Sequence, residues 1–234
     1  MSKMSERNYG ISYSDNYLLM LLSDDDVTTQ SERDALKEWK LREAMVGILR
    51  EQSWFLNDVL KSFPSRESEE YKKYLAEINL CHNAMSAYEQ KESKIRSGRI
   101  LKPLAQQVFT QVRNATQSNY NAEMAYVRKH DANYLKAIEM LYTKESQSED
   151  GKYNQEHSNS SPLIYALDKK ISKEQEEKKL IEAKLNKLKW CFSKEKRMHK
   201  AVLTQELNNQ NTYLNRLQNN RRLWVVIRYR ARFV

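Results

Sequence analysis

Residues 162–192 read PLIYALDKKISKEQEEKKLIEAKLNKLKWCF, and residues 193–222 continue SKEKRMHKAVLTQELNNQNTYLNRLQNNRR. From Leu163 to Val234 there is no Pro and no Gly. Ser161 stands where a helix N-cap belongs. Pro162 takes the first helical position, where the N–H it lacks would have no intrahelical partner. Beyond it Ile164, Leu167 and Ile171, then Ile181, Leu185, Leu188 and Phe192, recur at spacings of three and four. The stripe resumes at Leu203, Leu207, Leu214 and Leu217. An apolar stripe this narrow is a coiled-coil seam for a partner helix rather than the broad face of a globular helix. Phe192 and Leu203 are eleven residues apart, a four-residue insertion into a seven-residue repeat that locally unwinds a left-handed supercoil. Polar Glu174 and Lys178 fall on the seam and imply weak or selective pairing there. Read as one helix to Asn220, the element has about 60 residues and measures about 90 Å, which sets it along a partner or protruding. The competing arrangement folds it back, antiparallel, on the third helix of the preceding body.

Charge is unevenly spread. From Asp168 to Val234 there are 18 Lys and Arg against 7 Asp and Glu, a net of +11. Residues 1–167 hold 22 against 24, a net of −2, so the chain's formal charge of +9 arises in the last element. Two clusters carry it. One holds Lys184, Lys187, Lys189, Lys194, Lys196, Arg197 and Lys200; the other holds Arg221, Arg222, Arg228, Arg230 and Arg232.

The composition favours helices throughout. Four Gly and three Pro in 234 residues are too few for sheets joined by tight turns. Residues 1–16 are polar, with no apolar run of the kind a secretory leader needs. Tyr17–Leu22 is a short apolar plug, one or two helical turns that dock on a core. An acidic stretch follows, and Ser31 with Asp34 marks a helix start. Leu36, Trp39, Met45, Ile48, Leu49, Leu56, Val59, Leu60 and Phe63 give that helix a wide apolar face until Pro64. Ser65 opens a second helix, with Gly98 as its stop, and Pro103 opens a third pattern interrupted at Asn114–Asn121. Ser146–Ser161 is the clearest linker. At the C-terminus Ile227, Tyr229, Ala231 and Phe233 alternate with arginines. Strand or continued helix would fit, and a strand would require a partner's sheet edge.

Catalytic signatures are missing. Glycines at 10, 47, 98 and 151 are too dispersed for a phosphate-cradling loop or a nucleophile elbow. None of His82, His130, His157 and His199 begins a His-Glu-x-x-His pair. Cys81 and Cys191 are far apart, which suggests neither a structural zinc site nor a disulfide framework, and points to a reducing compartment. No apolar run is long enough to span a bilayer.

The sequence therefore predicts an all-α protein, an elongated helical bundle with a long C-terminal coiled-coil helix. Its expected parts are a flexible acidic segment with the plug (1–30), a helical body (31–145), a polar linker (146–161) and a long basic arm with an arginine-rich tail (162–234). The expected role is a non-catalytic scaffold subunit of a multiprotein assembly, intracellular, in cytoplasm or nucleus. It would need no cofactor, metal or catalytic residue. The seam would pair with a helix of another protein or of a second copy. The basic residues, Lys187 to Lys200 and Arg221 to Arg232, would meet an acidic surface. The alternative is a nucleic-acid-binding protein that uses the same cations on the phosphate backbone.

Overall fold

The computed structural model describes residues 15–117, 119–148, 161–188 and 193–231. All regular structure among them is helical. A short α1 (Asp15–Leu21) and a single 3-10 turn (Asp24–Asp26) precede four longer helices. These are α2 (Gln30–Leu60), α3 (Glu69–Gln90), α4 (Glu92–Thr116) and α5 (Tyr120–Ser146). Two more follow, α6 (Pro162–Lys187) and α7 (Lys194–Ala231), so the chain is an all-α bundle with a long C-terminal helix. No described helix is long and apolar enough to cross a membrane.

Side-chain capping starts several of the helices, though not always at the expected residues. α2 begins two residues earlier than Ser31 implied. Thr29 Oγ1 accepts the N–H of Glu32 at 3.2 Å, while Glu32 Oε2 accepts the N–H groups of Thr29 and Thr28 at 2.8 and 2.9 Å. Thr29-x-x-Glu32 is thus a full capping box, which Ser31-x-x-Asp34 is not. The Thr29 and Thr28 backbone N–H groups hold the Glu32 carboxyl down at about 2. α3 starts from Ser68 rather than Ser65, with Ser68 Oγ accepting the Tyr71 N–H at 3.2 Å. Ser161 does occupy the N-cap position before Pro162 at the start of α6, but its side chain makes no capping hydrogen bond. The interruption at Asn114–Asn121 is real: α4 ends at Thr116 and α5 begins at Tyr120.

Gly98 and Pro103, expected as a stop and a start, both lie inside α4. The break comes earlier, at Lys91. Packing overrides the local signals, because Ser97, Leu101, Ala105, Val108 and Val112 form one buried stripe that continues through both residues. Pro inside a helix costs about 3 kcal/mol, an amount that burial of several such side chains at about 1.5–3 kcal/mol each offsets.

The described residues form two compact units, one comprising Met1–Gly47 with Ala84–Thr143, the other Ile48–Asn83 with Lys144–Val234. These do not follow the body-and-arm division of the sequence reading. In the first unit, Leu18, Leu19, Met20, Leu21 and Leu22 are all buried, in a core shared with Leu36, Trp39, Leu101 and Val112. A seven-residue helix has no stability of its own. Its last carbonyls are therefore met from outside: Asn133 Nδ2 donates to Met20 O at 2.7 Å, and Lys40 Nζ to Leu22 O at 2.5 Å. Gly47 is required by close approach, since a Cβ there would stand 1.8 Å from Tyr134 Oη.

In the second unit the expected rod is two helices. α6 and α7 pack antiparallel, with Arg221 opposite Asp168, Tyr213 near Lys170 and Gln210 opposite Glu174. Ile164, Leu167, Ile171, Leu203, Leu214 and Leu217 are buried, while Ile181, Leu185, Leu188 and Leu207 are half-buried. The seam thus closes within the chain; Phe192 lies outside the described residues. The eleven-residue step that looked like an unwinding insertion spans the turn of the hairpin. Ser193 restarts the helix, its Oγ accepting the Lys196 N–H at 3.2 Å. α7 continues as helix to Ala231, with Leu223, Trp224, Val225, Val226 and Ile227 all buried. A helix covered on every side reads as a continuous apolar run, which is why the periodicity there was ambiguous.

Three outcomes are expected. Gly47→Ala, which in an open helix would gain about 0.5–1 kcal/mol, should instead lose about 1–3 kcal/mol through overpacking. In a Tyr134→Leu background the same change should become neutral or stabilising in urea denaturation. Glu174→Ala removes the Lys170 contact and one of two Gln210 bonds but leaves the Gln210 amide on the residue 174 carbonyl, so it should cost about 0.5–1.5 kcal/mol. Hydrogen bonding from Lys170, foremost, holds the Glu174 carboxyl below its ordinary value of 4.5. Its folded value being the lower, its contribution is complete above 4.5 and is lost as pH falls through the folded value. Denaturation midpoints measured down the acid range should therefore fall less steeply for Glu174→Gln than for the wild type.

Candidate site for an acidic partner

Hairpin closure brings the end of α6 and the start of α7 to one place, and with them the first basic cluster. Among the described residues from Lys178 to Val202 there are eight Lys and Arg against two Glu. Lys184, Lys187, Lys194, Lys196, Arg197 and Lys200 are all exposed. Among the described residues Lys184, Lys187, Lys194, Lys196 and Lys200 carry no ion pair. Lower down α6 the cations are taken up at i,i+4: Lys173 lies 3.9 Å from Glu177, Lys178 3.7 Å from Glu182, and Lys170 2.5 Å from Glu174. Free positive charge therefore gathers at the tip.

The helix dipoles sharpen the contrast. Lys184 and Lys187 sit in the last turn of α6, where cations are favoured; Lys194, Lys196 and Arg197 sit in the first turn of α7, where they oppose the positive helix end. Helix stability does not account for cations at the second position. An acidic group placed there would be attracted by the side chains and by the helix end together. Large apolar side chains accompany them: Leu180 and Met198 are 63% exposed and Val202 is 59% exposed. Lys184 and Lys187 follow Leu180 by four and seven residues and share its helix face, as Met198 does with Lys194.

The second cluster has a different fate. Arg221 makes a two-point contact with Asp168, Nε to Oδ1 at 2.5 Å and Nη2 to Oδ2 at 3.0 Å. That pairing raises its already high pKa. Arg228 likewise bonds Glu77 at two points, Nε to Oε2 at 2.7 Å and Nη2 to Oε1, with both side chains largely buried. Nearby Trp224 packs on Phe55, ring centroids 5.5 Å apart. These two arginines hold the second unit together. Arg222 is exposed; Lys189, Arg232 and the side chain of Arg230 lie outside what is described. Sequence reasoning saw the arginines but not their carboxylates, 53 and 151 residues away along the chain.

Cys81 and His130 are each engaged by neighbouring side chains. Burial, with the Glu77 carboxylate next, pushes the Cys81 thiol up to about 12, and its Sγ lies 3.7 Å from Gln52 Oε1. A thiol held protonated in this way is a poor nucleophile. His130 stacks on Tyr17, centroids 4.7 Å apart, and lies 3.2 Å from Asp131. Among the described residues no group of three or more His, Cys, Asp or Glu is placed to hold a metal ion.

Because Glu77 and Arg228 are desolvated, breaking the pair should be expensive. Arg228→Met should lose about 3–5 kcal/mol in urea denaturation, and Glu77→Leu with Arg228→Leu together should lose much less. The same pair of variants checks that this arginine acts on stability.

No family model matches the chain, and comparison with curated proteins and with solved structures gives no significant match.

Proposed function

We propose that this chain is a non-catalytic subunit of a larger protein assembly, which docks the tip of its α6–α7 hairpin on an acidic surface of a partner protein. The observation that carries the reading is the company the unpaired cations keep. Leu180, Met198 and Val202 are exposed on the same two helices as Lys184, Lys187, Lys194, Lys196 and Lys200. Phosphate contact needs cations alone, whereas a protein interface combines apolar contact with a charged rim that steers association. The seam supports the reading in a changed way. It builds a two-helix support for the tip and leaves the tip, not the seam, as the surface offered to another molecule. A second reading, nucleic acid as the acidic surface, is favoured by the same absence, among the described residues, of carboxylate partners at five lysines.

One experiment separates these readings. The tagged full-length chain and a variant with Lys184, Lys187, Lys194, Lys196 and Lys200 all changed to Glu are purified from cells, with and without nuclease. Co-purifying proteins are identified by mass spectrometry. The expected result is a fixed protein set that survives nuclease and is lost from the variant, whose helical circular dichroism is unchanged. Partners lost on nuclease treatment would establish the second reading. A protein set kept by the variant would refute docking through the tip.

A further inference from the structure

Within the first unit, between α1, α2 and α4, lies a cavity of about 560 Å³. That is within the range of about 300–1,000 Å³ usual for small-molecule sites. Its inner wall is apolar: Leu18, Leu19, Trp39 and Ala105 line it and are all buried. The α4 wall presents Gly98, and a Cβ built at Gly98 meets nothing within 4 Å. The helix therefore runs beside open space, where most residues would place a side chain.

Charge is distributed unequally around this cavity. Lys94 is buried, its ammonium 2.9 Å from Glu43 Oε2, bonded also to Glu89, and 5.8 Å from the Trp39 ring centroid. Two carboxylates and one ammonium leave that corner one negative charge in excess, and Glu89 itself lines the cavity there, so an anion is directed away from it toward the opposite edge. Arg99 and Lys102 also line the cavity, are exposed, and have no carboxylate partner among the described residues. Standing three residues apart on α4, they share a face and place two uncompensated cations together. The cavity thus joins an apolar, aromatic-floored wall to a positively charged edge. Neither the fold nor the hairpin tip makes use of that combination.

We infer that this cavity binds a small amphipathic anion, an apolar chain or ring bearing one carboxylate or phosphate, with the apolar part against Leu18, Leu19 and Trp39 and the anionic group at Arg99 and Lys102. Charge complementarity selects the sign of the ligand, and the volume limits its size. A cationic amphiphile of equal length would gain the apolar contact but meet Arg99 and Lys102 with like charge.

The test uses the full-length chain and anilinonaphthalene sulfonate, an aromatic anion whose fluorescence rises on transfer to an apolar site. Decanoate, decyl phosphate and decyltrimethylammonium serve as competitors. Two variants complete it: Gly98→Leu, which places a side chain in the open space, and Arg99→Glu with Lys102→Glu. The expected result is saturable one-to-one binding, reversed by decanoate or decyl phosphate but not by decyltrimethylammonium. Both variants should bind the probe at least tenfold more weakly at unchanged helicity by circular dichroism. The better of the two anionic competitors tells carboxylate from phosphate. Absence of saturable binding, unchanged binding in either variant, or equal competition by the cationic amphiphile would each overturn the inference.

Discussion

Glu174 lies inside the seam between α6 and α7 with both carboxylate oxygens engaged. Lys170 reaches one oxygen from the same helix at 2.5 Å, and the Gln210 amide reaches the other from α7 at 2.7 Å. The same amide nitrogen lies 3.0 Å from the Glu174 carbonyl oxygen. A carboxylate buried in an apolar seam is tolerated only where such partners meet it, so one register of the hairpin satisfies it and a slipped register does not. Leu203, Leu214 and Leu217 supply the burial; Glu174 and Gln210 specify the alignment. The fixed register places Arg221 at Asp168 and sets the lysines of both helices at one end.

That alignment also sorts the chain's cations into two kinds. Arg221 and Arg228 are bound two-point to carboxylates of their own unit, and the planar guanidinium is suited to that geometry. The five lysines at the tip are exposed and have no ion pair among the described residues. Exposed cations gain little from isolated ion pairs, so their concentration at a turn says little about stability and more about what may approach. The net charge of +9 is therefore a poor guide to the surface by itself. The useful quantity is the charge left after internal pairing.

The first unit rests on a different solution to the same problem of polar groups near a core. The α1 plug brings five apolar side chains in a row and also brings carbonyl groups that its few residues cannot satisfy. Asn133 and Lys40 meet those carbonyls, and Lys94 brings its own charge into the unit with Glu43 and Glu89 as counterions. Apart from the Lys94–Glu89 contact, each of these joins residues distant in sequence. None shows a periodic signal, and Lys94 falls simply within the second predicted helix, just before its expected stop at Gly98.

The sequence by itself determined the helical class, the plug, the Ser161–Pro162 start of α6, the interruption near Asn119 and the positions of the seam, because periodicity, caps and glycine scarcity act over a few residues. It also located the excess charge. Tertiary structure decided what those features meet. The described seam residues between Ile164 and Leu217 pair with one another across the two helices, since an apolar stripe records that a partner exists but not which chain supplies it. Gly98 and Pro103 run through α4 because a buried face outweighs local breakers. Arg221 and Arg228 became internal ties, and among the described residues Arg99 and Lys102 have no counterion beside an apolar cavity. Coulombic and packing partners are set by distance in space, which no local pattern encodes.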